Sequence, residues 1–144
     1  MTINIIKLVV GVTDLQDYYE LQQGEIFDYH GTKAVPCWTR YKPKQAEEIL
    51  QSEGSIYRVI KNRIQCRHKI LGFEMVETQN KGKMCMIVQD AQIIETVHQP
   101  KRPFQGWRYL KPADIPADRG VYNGEMSDRP PPEMEAELRE AGLL

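Results

Sequence analysis

The sequence predicts an α+β domain: a small, curved, mostly antiparallel sheet or β-barrel, with two early helices and one C-terminal helix. Three observations carry this. Helical periodicity is confined to residues 13–24 and 42–54 and returns weakly at 133–141. Everything between is short β-branched or alternating runs. Gly, Pro and Asn punctuate those runs without leaving room for a helix after each strand, which disfavours a doubly wound parallel sheet. At 144 residues, with 41% hydrophobic and 27% charged residues, the chain is long enough to bury its own core. Residues 1–119 read as one domain, and residues 120–144 as a Pro/Gly-rich segment ending in an acidic helix on or beside it.

Residues 3–10 (INIIKLVV) are β-branched and apolar, and read as a buried strand. After Gly11, Thr13-Asp-Leu-Gln16 fits a capping box with Thr13 as N-cap. Leu15, Tyr18, Tyr19 and Leu21 give the helix its apolar face, and Gly24 ends it. Gly31 marks a turn, and residues 34–41 (AVPCWTRY) form a strand whose Pro36 suits an edge or irregular entry. A second helix starts at Lys42-Pro43, buries Ala46, Ile49 and Leu50, and stops at Gly54.

Residues 56–73 (IYRVIKNRIQCRHKILGF) contain no acid. From 60 to 70 they alternate: Ile60, Ile64, Cys66 and Ile70 on one parity, Lys61, Arg63, Gln65, Arg67 and Lys69 on the other. A strand with this pattern has one apolar and one basic face. Gly72 bulges or ends it. Residues 83–88 and 92–97 read as a hairpin packed on the earlier strands, with a polar turn before it at 78–83. Residues 101–106 form a shaped loop leading into a short strand at 107–110; 111–118 is a surface connection, and 120–132 is loosely ordered.

The net charge of −1 favours no partner by itself, but the charges are segregated. Residues 14–28 hold five acids and no base, while 29–46 and 96–113 hold bases and no acid. Cations at alternate strand positions lie about 7 Å apart, near the spacing of phosphates on an extended strand. In Arg102-Pro-Phe-Gln-Gly-Trp-Arg-Tyr109, aromatics interleave with arginines, as single-stranded nucleic acid requires. Trp38-Thr-Arg40 has the same character. The candidate nucleic-acid contacts are therefore Trp38, Arg40, Lys44, Lys61, Arg63, Arg67, Lys69, Arg102, Gln105, Trp107 and Arg108. Arg63, Arg67 and Lys69 would hold phosphates, and Trp38 or Trp107 would stack. Against this stands a structural account: the strand's cations pair with Glu47, Glu48 or the acidic tail, Trp38 is a core residue, and Phe104 and Trp107 are core anchors over which Arg102 and Arg108 snorkel.

Other chemistry has little support. No two of His30, His68 and His98 share ligand spacing, so no metal is expected, and His68, on the apolar parity, reads as a satisfied core histidine. No phosphate-binding glycine motif is present, so no cofactor is expected. Three cysteines without a C-x-x-C, no secretory segment and no long apolar run indicate a reduced, cytoplasmic protein off the membrane. The expected partner is RNA or a nucleoside-like ligand. The alternatives are a small hydrolase or transferase on a modified nucleoside, with Lys44, Lys61 or Cys37 near the chemistry, and a protein-interaction or homodimer module.

Four segments together resemble a domain-of-unknown-function family (1489) of Alphaproteobacteria: Trp38-Thr-Arg40; Pro43-Lys44 with Glu48-Ile-Leu50; Gly54-Ser-Ile-Tyr57 with Val59-Ile-Lys61; and Arg102 to Leu110. That resemblance covers nearly the whole chain and implies a bacterial cytosolic protein, but no activity. Pro43 to Leu50, a glycine and an arginine-bearing strand are more weakly similar to the opening of ASCH domains of the PUA-like superfamily. Those are small β-barrels, many of which bind RNA or modified bases. The chain departs from them at Glu53-Gly-Ser-Ile56, where ASCH proteins tend to carry Gly-Lys-x-Thr.

Overall fold

The apolar runs become strands of one sheet in the computed structural model, which describes residues 1–124. In chain order these are β1 (Asn4–Leu8), α1 (Leu15–Gln23), β2 (Phe27–Tyr29), β3 (Thr32–Thr39), α2 (Ala46–Gln51), β4 (Ser55–Ile60), β5 (Arg63–Thr78), β6 (Gly82–Asp90), β7 (Ile93–Pro100), β8 (Trp107–Leu110) and β9 (Asp118–Tyr122). A 3-10 turn lies at Pro112–Asp114. The sheet runs β2-β3-β6-β5-β4-β1-β8, with β7 on β5 and β9 on β7. Among the described residues only β1 and β4 pair in parallel; the remaining pairs are antiparallel. This is the expected α+β class, built as a mixed, mostly antiparallel sheet that does not close.

The 16-residue β5 is the hub. Its first half pairs with β4 and β7, and its second half with β6. A register shift between Ile70 and Gly72 marks the handover, as the glycine predicts. The sheet bends there enough for its two halves to share a core. Cys37, Cys85, Ile87 and Phe73 from one half meet Ile5 and Ile56 from the other, with Ala46 and Ile49 of α2 between them. Helix α1 closes a second cluster, in which Val12, Leu15 and Tyr18 pack on Ile60, Cys66 and Ile93. The opposite face of β1, β4 and β5 carries Ile6, Tyr57, Val59 and Ile64, covered by Phe104 and Ile115 from the connections flanking β8.

Close packing explains two glycines. A Cβ at Gly54 would overlap the carbonyl oxygen of Ile3 and the side chain of Ile49, and one at Gly72 would overlap the Tyr29 ring.

Several expectations need correction. The N-cap of α1 is Asp14, not Thr13: its Oδ1 accepts from Asp17 N at 2.8 Å, and Asp17 Oδ2 accepts from Thr13 N at 3.0 Å. Two carboxylates form the reciprocal box one residue late, because an ionised acceptor bonds more strongly than a hydroxyl. Leu21 and Leu50 face solvent. Helix α2 begins at Ala46, several residues after Pro43. β6 and β7 do not pair with one another, because β5 is long enough to offer each a separate edge. Residues 120–122 belong to β9 rather than to a loose segment. The acidic helix expected at 133–141 lies outside the described residues.

Candidate nucleic-acid interface

The basic strand is not two-faced along its length. Val59 pairs with Ile64 and Arg58 with Cys66, so Gln65 is an inserted bulge residue. Its side chain is buried, and its Nε2 donates to the Ile60 carbonyl at 2.8 Å. Cross-strand partners share a face. Arg63, opposite Ile60, therefore takes the face that α1 covers, whereas Arg67, opposite Tyr57, and Lys69, opposite Ser55, take the other. Ile64 and Cys66 likewise face opposite ways. The bulge reverses the parity, a change that simple alternation cannot register.

Arg67 and Lys69 are already engaged. Arg67 grips Asp118 with two bonds, Nε to Oδ1 at 2.9 Å and Nη2 to Oδ2 at 2.8 Å, and its Nη1 donates to Ser55 Oγ at 2.8 Å. That hydrogen bonding holds the Asp118 carboxyl below its usual range. Lys69 makes a looser, exposed pair with Glu53 at 3.3 Å. Neutralisation by acids thus applies to these two, although the acids are Asp118 and Glu53 rather than Glu47 and Glu48. Both cations line a half-open hollow of about 270 Å³ with Glu53, Asp90, Gln92 and Ile94.

The other predicted cations converge elsewhere. The β4–β5 hairpin turns on Lys61 and Asn62, and Lys101 N donates to Asn62 O at 2.8 Å. Arg63 pairs with Pro100. The hairpin tip and the loop after β7 therefore lie side by side and form a rim. Phe104 anchors the loop in the second-face cluster, with the Arg108 guanidinium 4.8 Å and the Lys101 ammonium 5.8 Å from its ring centroid. Phe104 anchors the loop as the structural account expects, with an arginine over it, but it is half-buried rather than fully in the core. Lys61, Arg63, Arg102, Gln105 and Arg108 are exposed. Among the described residues, none of Lys61, Arg63, Lys101, Arg102 and Arg108 forms an ion pair.

On the opposite face of β8, Trp107 and Tyr109 meet edge to face at 4.9 Å. Gln45 N donates to Tyr109 Oη at 3.3 Å, which brings exposed Lys44 to the same edge. Trp38 and Arg40 lie apart from this group. Trp38 lies on the outer surface of β3, opposite Met86, and is 42% exposed rather than in the core, and exposed Arg40 follows just beyond the end of that strand. Arg40 Nη1 donates to the Lys81 carbonyl at 2.6 Å.

Sequence reasoning missed a buried charge in the centre of the sheet, Arg58. Arg58 Nε and Nη2 donate to the carbonyls of Lys7 and Leu8 at 3.3 and 3.2 Å. Its Nη1 donates to Gln89 Oε1 at 2.8 Å and more weakly to Tyr18 Oη at 3.5 Å. His68 is the satisfied core histidine expected: Nδ1 donates to Asp90 O at 2.7 Å, so Nε2 accepts from the Tyr18 hydroxyl at 2.8 Å. Burial pushes the His68 pKa down to about 3 and that of Cys66 up to about 12, and it raises that of Tyr18. All six residues of β4 are buried, and an arginine inside a run of apolar residues was the available signal.

Cys37, Cys66 and Cys85 are buried free thiols. Among the described residues, no group of three or more His, Cys, Asp or Glu is placed to hold a metal, and no helix is long and apolar enough to cross a membrane. No curated protein and no solved structure matches the chain. The model of a family described as "Protein of unknown function (DUF1489)" matches residues 5–144, and the chain belongs to that family.

Proposed function

We propose that this protein binds single-stranded nucleic acid, RNA foremost, along the rim formed by the β4–β5 hairpin tip and the loop between β7 and β8. The observation that carries this reading is the contact of Lys101 N with Asn62 O. It joins two basic segments whose cations, Lys61, Arg63, Lys101, Arg102 and Arg108, make no ion pairs among the described residues. Cations free of carboxylates can neutralise phosphates and release the counterions condensed on the nucleic acid, a large source of affinity in such complexes. Arg67 and Lys69 contribute less, because binding there would first have to displace Asp118 and Glu53. Three buried free thiols suit a reduced compartment, and we place the protein in the cytoplasm on that ground.

Fluorescence anisotropy with a labelled single-stranded RNA tests the proposal. Log K should fall by about 0.7 per phosphate neutralised as log salt rises. Reversing Arg63, Arg102 and Arg108 to Glu should weaken binding at least tenfold and flatten the salt slope by about 2. No detectable affinity for RNA or DNA at low salt would remove the proposal. A nucleoside-modifying enzyme is less well supported, because His68, Tyr18 and Cys66, whose pKa values are displaced by burial, are sealed in the core.

A further inference from the structure

We propose that the free edge of β8 is a base-stacking platform, in which Tyr109 takes an unpaired base while Lys42 and Lys44 take the flanking phosphates. This rests on the nucleic-acid reading above and specifies the form of the ligand.

Alternation along β8 separates its side chains. Arg108 lies opposite Ile6 on the face carrying Phe104, whereas Trp107 and Tyr109 lie opposite Lys7 and Ile5 on the face toward α2. Trp107 is fixed because it packs on the main core cluster. Tyr109 is fixed by Trp107, at 4.9 Å and 86° between ring planes, and by the Gln45 N–H on its hydroxyl. Tyr109 nonetheless remains 42% exposed. A large, immobilised and partly exposed ring loses little freedom when a base stacks on it.

The connection that delivers Gln45 also carries Tyr41, Lys42 and Lys44, all exposed. Neither lysine has an ion pair among the described residues. Glu47 and Glu48, on the first turn of α2, end this basic run. Among the described residues β8 pairs only with β1, so its outer edge is open. A chain crossing that edge meets Arg108 on one side, Lys42 and Lys44 on the other, and an aromatic ring between them. Phe104 cannot serve as the ring, because Lys101 and Arg108 already approach it. A duplex keeps its bases stacked inside and has none to offer Tyr109, so the arrangement selects single strands.

The test compares four affinities by anisotropy. The ligands are a single-stranded oligoribonucleotide and a strand of the same length with abasic positions, each measured on the native chain and on Tyr109→Leu. The native protein should bind the abasic strand about tenfold more weakly. Tyr109→Leu should lose about tenfold on the natural strand and little on the abasic one. Equal binding of both strands by the native chain, or an unchanged affinity of Tyr109→Leu for the natural strand, overturns the platform and leaves the rim proposal standing. Failure of the native chain to bind either strand overturns both.

Discussion

At His68 a proton balance follows from the hydrogen bonds. The ring donates to Asp90 O and accepts from Tyr18, so the native state has no place for a second ring proton. Burial lowers its pKa to about 3, against an ordinary value of 6.5. The folded state therefore stays neutral at His68 while the unfolded state takes up a proton as pH falls below about 6.5. The stability conferred by the neutral ring is complete above that value and declines toward pH 3, by up to ~1.4 kcal/mol per pH unit. Urea unfolding at pH 7.5 and 5.0 measures this. The native chain should lose roughly 2 kcal/mol more than His68→Gln over that interval, and equal losses would show that His68 is not the responsible group.

At the scale of elements, turns and bulges decide the outcome. Lys61 and Asn62 close the β4–β5 hairpin with φ of +49° and +65°, the left-handed pair that a two-residue turn requires and that Asn-Gly meets best. Asn62→Gly should therefore raise stability by up to about 1 kcal/mol and Tm by a few degrees. It would keep the Asn62 carbonyl that receives Lys101 N, so thermal unfolding followed by circular dichroism reads the turn alone. Much at this scale was legible. The strand at Trp107–Leu110 and the end of α1 at Gly24 coincide with their sequence signals, because each is set by local residues. The Gln65 bulge was not, since glutamine carries no bulge signature. It appears only when β4 supplies one residue against two. The placing of β6 and β7 failed for a related reason: two adjacent apolar runs resemble a hairpin unless a third strand is long enough to accept both.

For the whole molecule, strand order determines which charges meet. β1 waits for β4 across residues 9–54, then accepts β8 from the far end of the chain. Such non-local pairing places refolding in the range of milliseconds to seconds. Stopped-flow tryptophan fluorescence checks this, and a microsecond phase carrying the full amplitude would contradict it. The same order explains what the sequence could not reveal about the site. Residues 61–63 and 101–102 are contiguous only because β7 returns along β5, whereas Trp38 and Arg40, equally suggestive as a motif, sit on and just after β3 in the other half of the sheet. Arg58 extends the point to inheritance. Its guanidinium draws together β1, α1 and β6 through Lys7, Leu8, Tyr18 and Gln89. A lone change at position 58 would strand buried oxygens on three elements. Positions 18, 58 and 89 should thus drift through descent as a linked set, with a lineage that abandons the arginine replacing its correspondents in the same episode.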